Sequence, residues 1–194
     1  GWIKESFNFD PSTPYAISRT AQDLHLKAYY ENFDFPVVFT RAANVYGPGQ
    51  SLYRIIPRTF IEALSSGNLT LDGGGLSERS FIHGSDVAEA TLKVSFDGVV
   101  GSSYHISGFK SIKIIELVEL IANLCEIRVK DFVKYGPERP GKDLAYLLDS
   151  TKIREELNWT DKINLLEGLH ETLNWIRNNF EFLENYPREY VHKR

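Results

Sequence analysis

Two hydrophobic periods alternate along this chain. Apolar or aromatic residues at Leu24, Leu26, Ala28, Tyr29 and Phe33 predict a long, one-sided helix, capped by Thr13, with Pro14 in its first turn and a stop before Pro36. The run Val37-Val38-Phe39-Thr40-Arg41 follows it and precedes a glycine-proline turn, the signature of a buried parallel strand. Further helices are predicted from Ile56 to Leu64, Asp86 to Phe96, Thr151 to Leu157 and Leu165 to Phe180. Another, capped by Ser111, carries Ile114, Ile115, Leu117, Val118, Leu120, Ile121 and Leu124. Strands are expected from Leu69 to Asp72, Ser80 to His83, Tyr104 to Ser107, Val129 to Tyr135 and Tyr146 to Leu148. Residues 182–194 are aromatic and basic without periodicity, and the chain has no repeat or low-complexity linker. Alternating helices and strands predict an α/β architecture.

Composition narrows the function classes. The 194 residues suit a sizeable core, with 42% hydrophobic and 25% charged residues. A net charge of -4 with interspersed signs gives no electrostatic basis for a nucleic-acid or membrane-surface partner. No apolar run approaches membrane-spanning length, the start Gly1-Trp2-Ile3-Lys4-Glu5 has no signal-peptide pattern, and the single cysteine, Cys125, lies in an apolar helical stretch. These features predict a cytoplasmic protein with a core thiol.

The chemistry begins at Pro14-Tyr15-Ala16-Ile17-Ser18-Arg19, where a phenol and a cation four residues apart share one helical face. A phenol beside a fixed positive charge favours its phenolate form and can exchange a proton with a sugar hydroxyl as hydride leaves the same carbon. Asn44 falls just past the carboxyl end of the predicted strand, where open parallel sheets bind ligands. Gly73-Gly74-Gly75 lacks the spacing of a dinucleotide fingerprint and leads into a strand. His83 and His105 have no neighbouring metal or triad pattern and read as structural, and no metal site is predicted.

Six blocks, in order, carry a resemblance: Ser12-Thr13-Pro14-Tyr15-Ala16-Ile17-Ser18-Arg19, Arg41-Ala42-Ala43-Asn44-Val45-Tyr46-Gly47-Pro48-Gly49, Asp72-Gly73-Gly74-Gly75 through Arg79-Ser80-Phe81-Ile82-His83, Asp86-Val87-Ala88, Tyr104-His105-Ile106-Ser107-Gly108, and Arg139-Pro140-Gly141-Lys142-Asp143. The chain resembles the extended short-chain dehydrogenase/reductase family, in particular its nucleotide-sugar 4,6-dehydratases and epimerases. The resemblance implies the C-terminal part of a Rossmann-like doubly wound parallel sheet with a small α/β substrate-binding region. Residues 1–49 would belong to the NAD-binding domain and 50–194 mainly to the substrate region, with about 80–110 returning to the former.

It further implies NAD as cofactor, Tyr15 and Arg19 as catalytic and cofactor-binding residues, and Asn44, Arg79, Arg139 and, more weakly, Lys142 as contacts to a nucleotide-sugar substrate. The implied assembly is a homodimer that pairs the Tyr15 helix and a neighbour into a four-helix bundle. The pyrophosphate-binding turn and the acid-base pair for water loss would lie upstream. The family has lysine where this chain has Arg19, whose planar fork is longer and places its donors differently. The implied reaction is C4 oxidation, water loss and hydride return to C6. The alternatives are a 4-epimerase and a non-catalytic nucleotide-sugar-binding or scaffold protein.

Overall fold

A computed structural model of the chain describes residues 1–138 and 144–189. In chain order the elements are α1 (Pro14–Phe33), β1 (Phe39–Ala42), β2 (Asn44–Tyr46), α2 (Ile55–Leu64), β3 (Leu69–Asp72), β4 (Glu78–His83), α3 (Gly84–Asp97), β5 (Ser103–Ile106), β6 (Ser111–Lys113), α4 (Ile114–Leu124), β7 (Val133–Gly136), β8 (Ala145–Tyr146), α5 (Thr151–Leu157), α6 (Leu165–Asn178) and α7 (Phe180–Glu184). They form two compact units. One comprises Gly1–Val45, Ser80–Ser111 and Ala145–Lys162; the other comprises Tyr46–Arg79, Ile112–Leu144 and Ile163–Arg194.

The first unit is framed by β1 and β5, parallel and in register from Phe39 opposite Ser103 to Ala42 opposite Ile106. Parallel strands need a long crossover rather than a hairpin, and here it includes α3. Helices α3 and α5 pack on this pair around Ala90, Val94, Tyr104, Ile106, Ile153 and Trp159, all buried. The leading segment is strapped on without forming a long strand. Ile3 N–H donates to Leu147 O at 2.9 Å, and Asp149 N–H donates to Ile3 O at 2.8 Å. The alternating residues Glu5, Phe7 and Phe9 are half-buried, with Phe7 edge-on to Phe39 at 5.1 Å.

Helix α1 starts as predicted: Thr13 Oγ1 accepts from Ala16 N–H at 3.2 Å, and Pro14 occupies the first turn, where no N–H donor is needed. It ends at Asp34, which adopts a left-handed conformation with φ 53°. None of its side chains is fully buried; the half-buried positions Ala16, Thr20, Asp23, Leu26, Lys27 and Tyr30 recur at helical spacing and give it one inward face, to which only Leu26 of the expected apolar positions belongs.

The second unit is built on β3 and β7, parallel with Leu69 opposite Val133 and Leu71 opposite Tyr135. Helix α2 packs against both α4 and α6, and its Phe60 and Ile61 meet no solvent. Buried Tyr46 donates to the Asn164 and Leu165 carbonyls at 3.3 Å, holding the start of α6. A Cβ at Gly168 would stand 2.7 Å from Cζ of the Tyr46 ring, so this close approach requires glycine. Gly73, Gly74 and Gly75 have φ of 59°, 67° and 70° and form a tight turn before β4.

Several local expectations shift. Ser111 belongs to the short strand β6, so α4 begins at Ile114, with Glu116 accepting from Lys113 N–H at 3.2 Å. Val129–Asp131 is a 3-10 turn closed by Arg128–Asp131 bonds of 2.9 and 3.1 Å, and β7 starts only at Val133, where β3 provides a partner. Finally, α7 buries Leu183 but is too short to show a period.

Candidate active site

Tyr15 and Arg19 stand on consecutive turns of α1. The phenol is 76% exposed, and the exposed Arg19 donates from Nη1 to Gln22 Oε1 at 2.9 Å. That partner is a neutral amide, and Ser18 Oγ donates to Tyr15 O at 2.8 Å within the same turn. The arrangement can present a phenol and a cation together to a ligand. It fits the ribose end of a nicotinamide cofactor, whose hydroxyls suit a cation, beside a substrate hydroxyl that can exchange a proton with the phenol. The glycine turn at 73–75 leads into β4 rather than a helix, so it is not a pyrophosphate cradle.

Asn44 opens β2, immediately beyond the carboxyl ends of β1 and β5. It is half-buried, and its Nδ2 donates to Ser80 O at 3.0 Å. Buried serines support this position: Ser80 Oγ donates to Gly108 O at 2.9 Å, Ser107 Oγ donates to Ser80 Oγ at 3.0 Å, and Ser150 Oγ donates to Ser107 O at 2.7 Å. Arg154 joins the network by donating to Ser150 Oγ, Ser107 O and Asp161, the last at 2.6 Å. No periodic pattern marks these residues in the sequence.

Arg79 lies in the second unit, half-buried, with Nη1 donating to Glu78 O at 2.7 Å and Leu144 O at 3.4 Å. The first unit thus carries Tyr15, Arg19 and Asn44, and the second carries Arg79. Arg139 and Lys142 lie outside the described residues.

His83 and His105 are both buried. Burial pushes the His105 imidazole below its ordinary range; Glu5 opposes that shift and Arg41 adds to it. His105 N–H donates to Glu5 Oε1 at 2.8 Å, and its Nδ1 lies 3.1 Å from Ile3 O, so this residue anchors the leading segment. Burial raises the Cys125 thiol to about 11, which keeps it protonated and inert. Among the described residues no group of three or more His, Cys, Asp or Glu is placed to hold a metal, and no helix is long and apolar enough to cross a membrane.

A family model described as GDP-mannose 4,6 dehydratase matches residues 1–172. The chain belongs to that family. A human dTDP-D-glucose 4,6-dehydratase is 35% identical over 95% of this chain and 54% of its own length. The crystal structure of a dTDP-glucose 4,6-dehydratase from Streptomyces venezuelae, with NAD and TYD bound, superposes with a TM-score of 0.89 at 32% identity, covering 94% of this chain and 56% of that one. A UDP-glucose 4-epimerase from Thermotoga maritima, with UDP-glucose, gives 0.83 at 26% identity over 88% of this chain and 55% of that one. Dehydratases are therefore the better match. The chain spans about half the length of the relatives it matches. Its α/β fold with parallel strand pairs matches the Rossmann-type fold of these dehydratases.

Proposed function

We propose that this chain serves an NAD-dependent nucleotide-sugar 4,6-dehydratase, with Tyr15 as the base that takes the proton of the sugar C4 hydroxyl. The observation that carries this reading is the Tyr15–Arg19 face of α1: an exposed phenol and an exposed cation one turn apart, on a helix fixed at its start by Thr13 and Pro14. NAD, when bound, supplies a hydride acceptor for C4 and a hydride donor for C6 after water is lost across C5 and C6. Arg19 favours the phenolate by its charge and offers donors to the cofactor ribose. Asn44 contacts the substrate, while Arg79 and Arg139, with Lys142 in a lesser role, hold its diphosphate; planar guanidinium forks suit paired phosphate oxygens.

In this reading, residues 1–49 and about 80–110 belong with the cofactor, and the rest of 50–194 mainly with the substrate. The homodimer is part of the same proposal. Helix α1 buries no side chain and exposes Leu24, Tyr29 and Phe33, an apolar surface that a second copy would cover. Light scattering should report a dimer that Ala28→Glu dissociates; a monomeric wild-type protein removes the dimer.

Incubating the full-length protein with NAD and a nucleoside-diphosphate hexose should yield a 4-keto-6-deoxy sugar. A 4-epimer as the sole product favours the epimerase, whose solved relative shares the fold. Nucleotide-sugar binding without NAD or turnover favours a binding protein, for which the replacement of the family lysine by Arg19 is the motive. Arg79→Ala should weaken calorimetric binding of the nucleoside diphosphate by roughly 1.5–3 kcal/mol, the value of a charge-assisted bond. Unchanged affinity makes Arg79 a structural residue of β4.

A further inference from the structure

Helix α1 carries Tyr15 and Arg19 and has no fully buried side chain; its half-buried positions Ala16, Thr20, Asp23, Leu26, Lys27 and Tyr30 mark the face turned to the rest of the chain. Arg41, on β1 opposite His105, reaches that face. Its Nε and Nη2 both donate to Asp23 Oδ2, at 3.1 and 2.8 Å. Its Nη1 donates to the backbone carbonyl of Ser6 at 3.1 Å. The guanidinium also lies against the rings of Phe7 and Phe9, 5.2 and 5.0 Å from their centroids. One side chain therefore grips the helix and the segment that leads into it. The ion pair is sheltered, with Arg41 and Asp23 side chains 18% and 23% exposed, so it is worth more than a solvated surface pair.

Asp23 follows Tyr15 by two helical turns. At 1.5 Å per residue that is about 12 Å, so a tilt of roughly 5° about the Asp23 anchor moves Tyr15 by on the order of 1 Å. A displacement of that size at a reacting group can cost about 100-fold in rate. We propose that Arg41, by holding Asp23 and the leading segment, is a positioning residue for Tyr15; this rests on the reading of Tyr15 as the base. Arg41 touches neither substrate nor cofactor in this scheme and acts only through α1.

The test measures kcat per NAD-occupied site, KM for the nucleotide sugar and the melting temperature of the full-length protein. The variants are Arg41→Gln, Asp23→Asn, the two combined, and Arg41→Lys. Loss of the grip should lower kcat by about 10-fold or more in Arg41→Gln and at least about threefold in Asp23→Asn, with KM within about threefold of wild type. The double variant should be no worse than Arg41→Gln, because both changes remove the same contact, and Arg41→Lys should recover part of the loss. A purely structural role would lower the melting temperature and leave kcat per occupied site less than threefold changed, which overturns the proposal. If Arg41→Gln fails to fold, Asp23→Asn on the helix surface decides by the same threefold criterion. Tyr15→Phe separates the two claims. Full turnover in that variant defeats the base assignment, whereas an inactive Tyr15→Phe with unimpaired Arg41→Gln and Asp23→Asn defeats the Arg41 proposal alone.

Discussion

Helix α4 buries Leu117, Val118, Ile121 and Ala122 in eleven residues, whereas α1 buries none in twenty. The first is fixed by packing: it lies against α2, whose Phe60 and Ile61 are fully buried. The second is held by a cap, the Arg41–Asp23 pair and a face that is only half-buried, through Ala16, Thr20, Leu26 and Tyr30. Under the proposed function α1 keeps its Tyr15–Arg19 face for a ligand, while helices such as α4 supply the packing of the core.

Substitutions in the two helices separate these roles. Leu117→Ala, at a fully buried site, should destabilise the fold by about 2–5 kcal/mol in denaturant unfolding. A loss below about 1 kcal/mol would mean that α4 is not a packing helix.

A smaller effect is expected from pH. Burial lowers the His105 imidazole in the native state, so it takes up its proton at a lower pH than in the unfolded chain, where the ordinary value is about 6.5. The unfolded state then binds more protons as pH falls below that value. The contribution present above it is lost on acidification, until the native imidazole also protonates at its lower pKa. Melting temperatures between pH 7.5 and 5.5 should decline, and His105→Asn should flatten the decline; an unchanged slope in the variant would remove His105 from the account.

The smallest effect belongs to α1. Leu24 is 45% exposed, and Leu24→Ala should change stability by no more than about 0.5 kcal/mol at low protein concentration. A greater loss that appears only at high concentration would place α1 in the dimer contact.

Sequence reading reached what is local. Thr13, Pro14 and the Tyr15–Arg19 spacing fixed the start of α1 because a cap and a helical face need only neighbouring residues. The apolar run from Ile114 gave α4 apart from its cap, since Ser111 pairs as a strand. Strand β1 starts at Phe39 rather than Val37, because the Val37 carbonyl accepts from Gly101 N–H at 2.7 Å outside the ladder. Periodicity was silent on Arg41–Asp23, two charged residues far apart in sequence, and on Ser80, Ser107 and Ser150, whose bonds depend on chain crossings that no repeat announces. Contacts of that kind decide where Asn44 and α1 are held.

In the proposed function Tyr15 performs proton transfer without holding the molecule together. Tyr15→Phe in the full-length protein, measured by turnover, calorimetric binding of the nucleotide sugar and thermal melting, tests it directly. The expected result is a fall in kcat of at least about 100-fold, substrate affinity within about threefold, and a melting temperature close to wild type, since the substitution removes one hydroxyl from a residue that is 76% exposed in this chain. Turnover equal to wild type in a well-folded variant would contradict it.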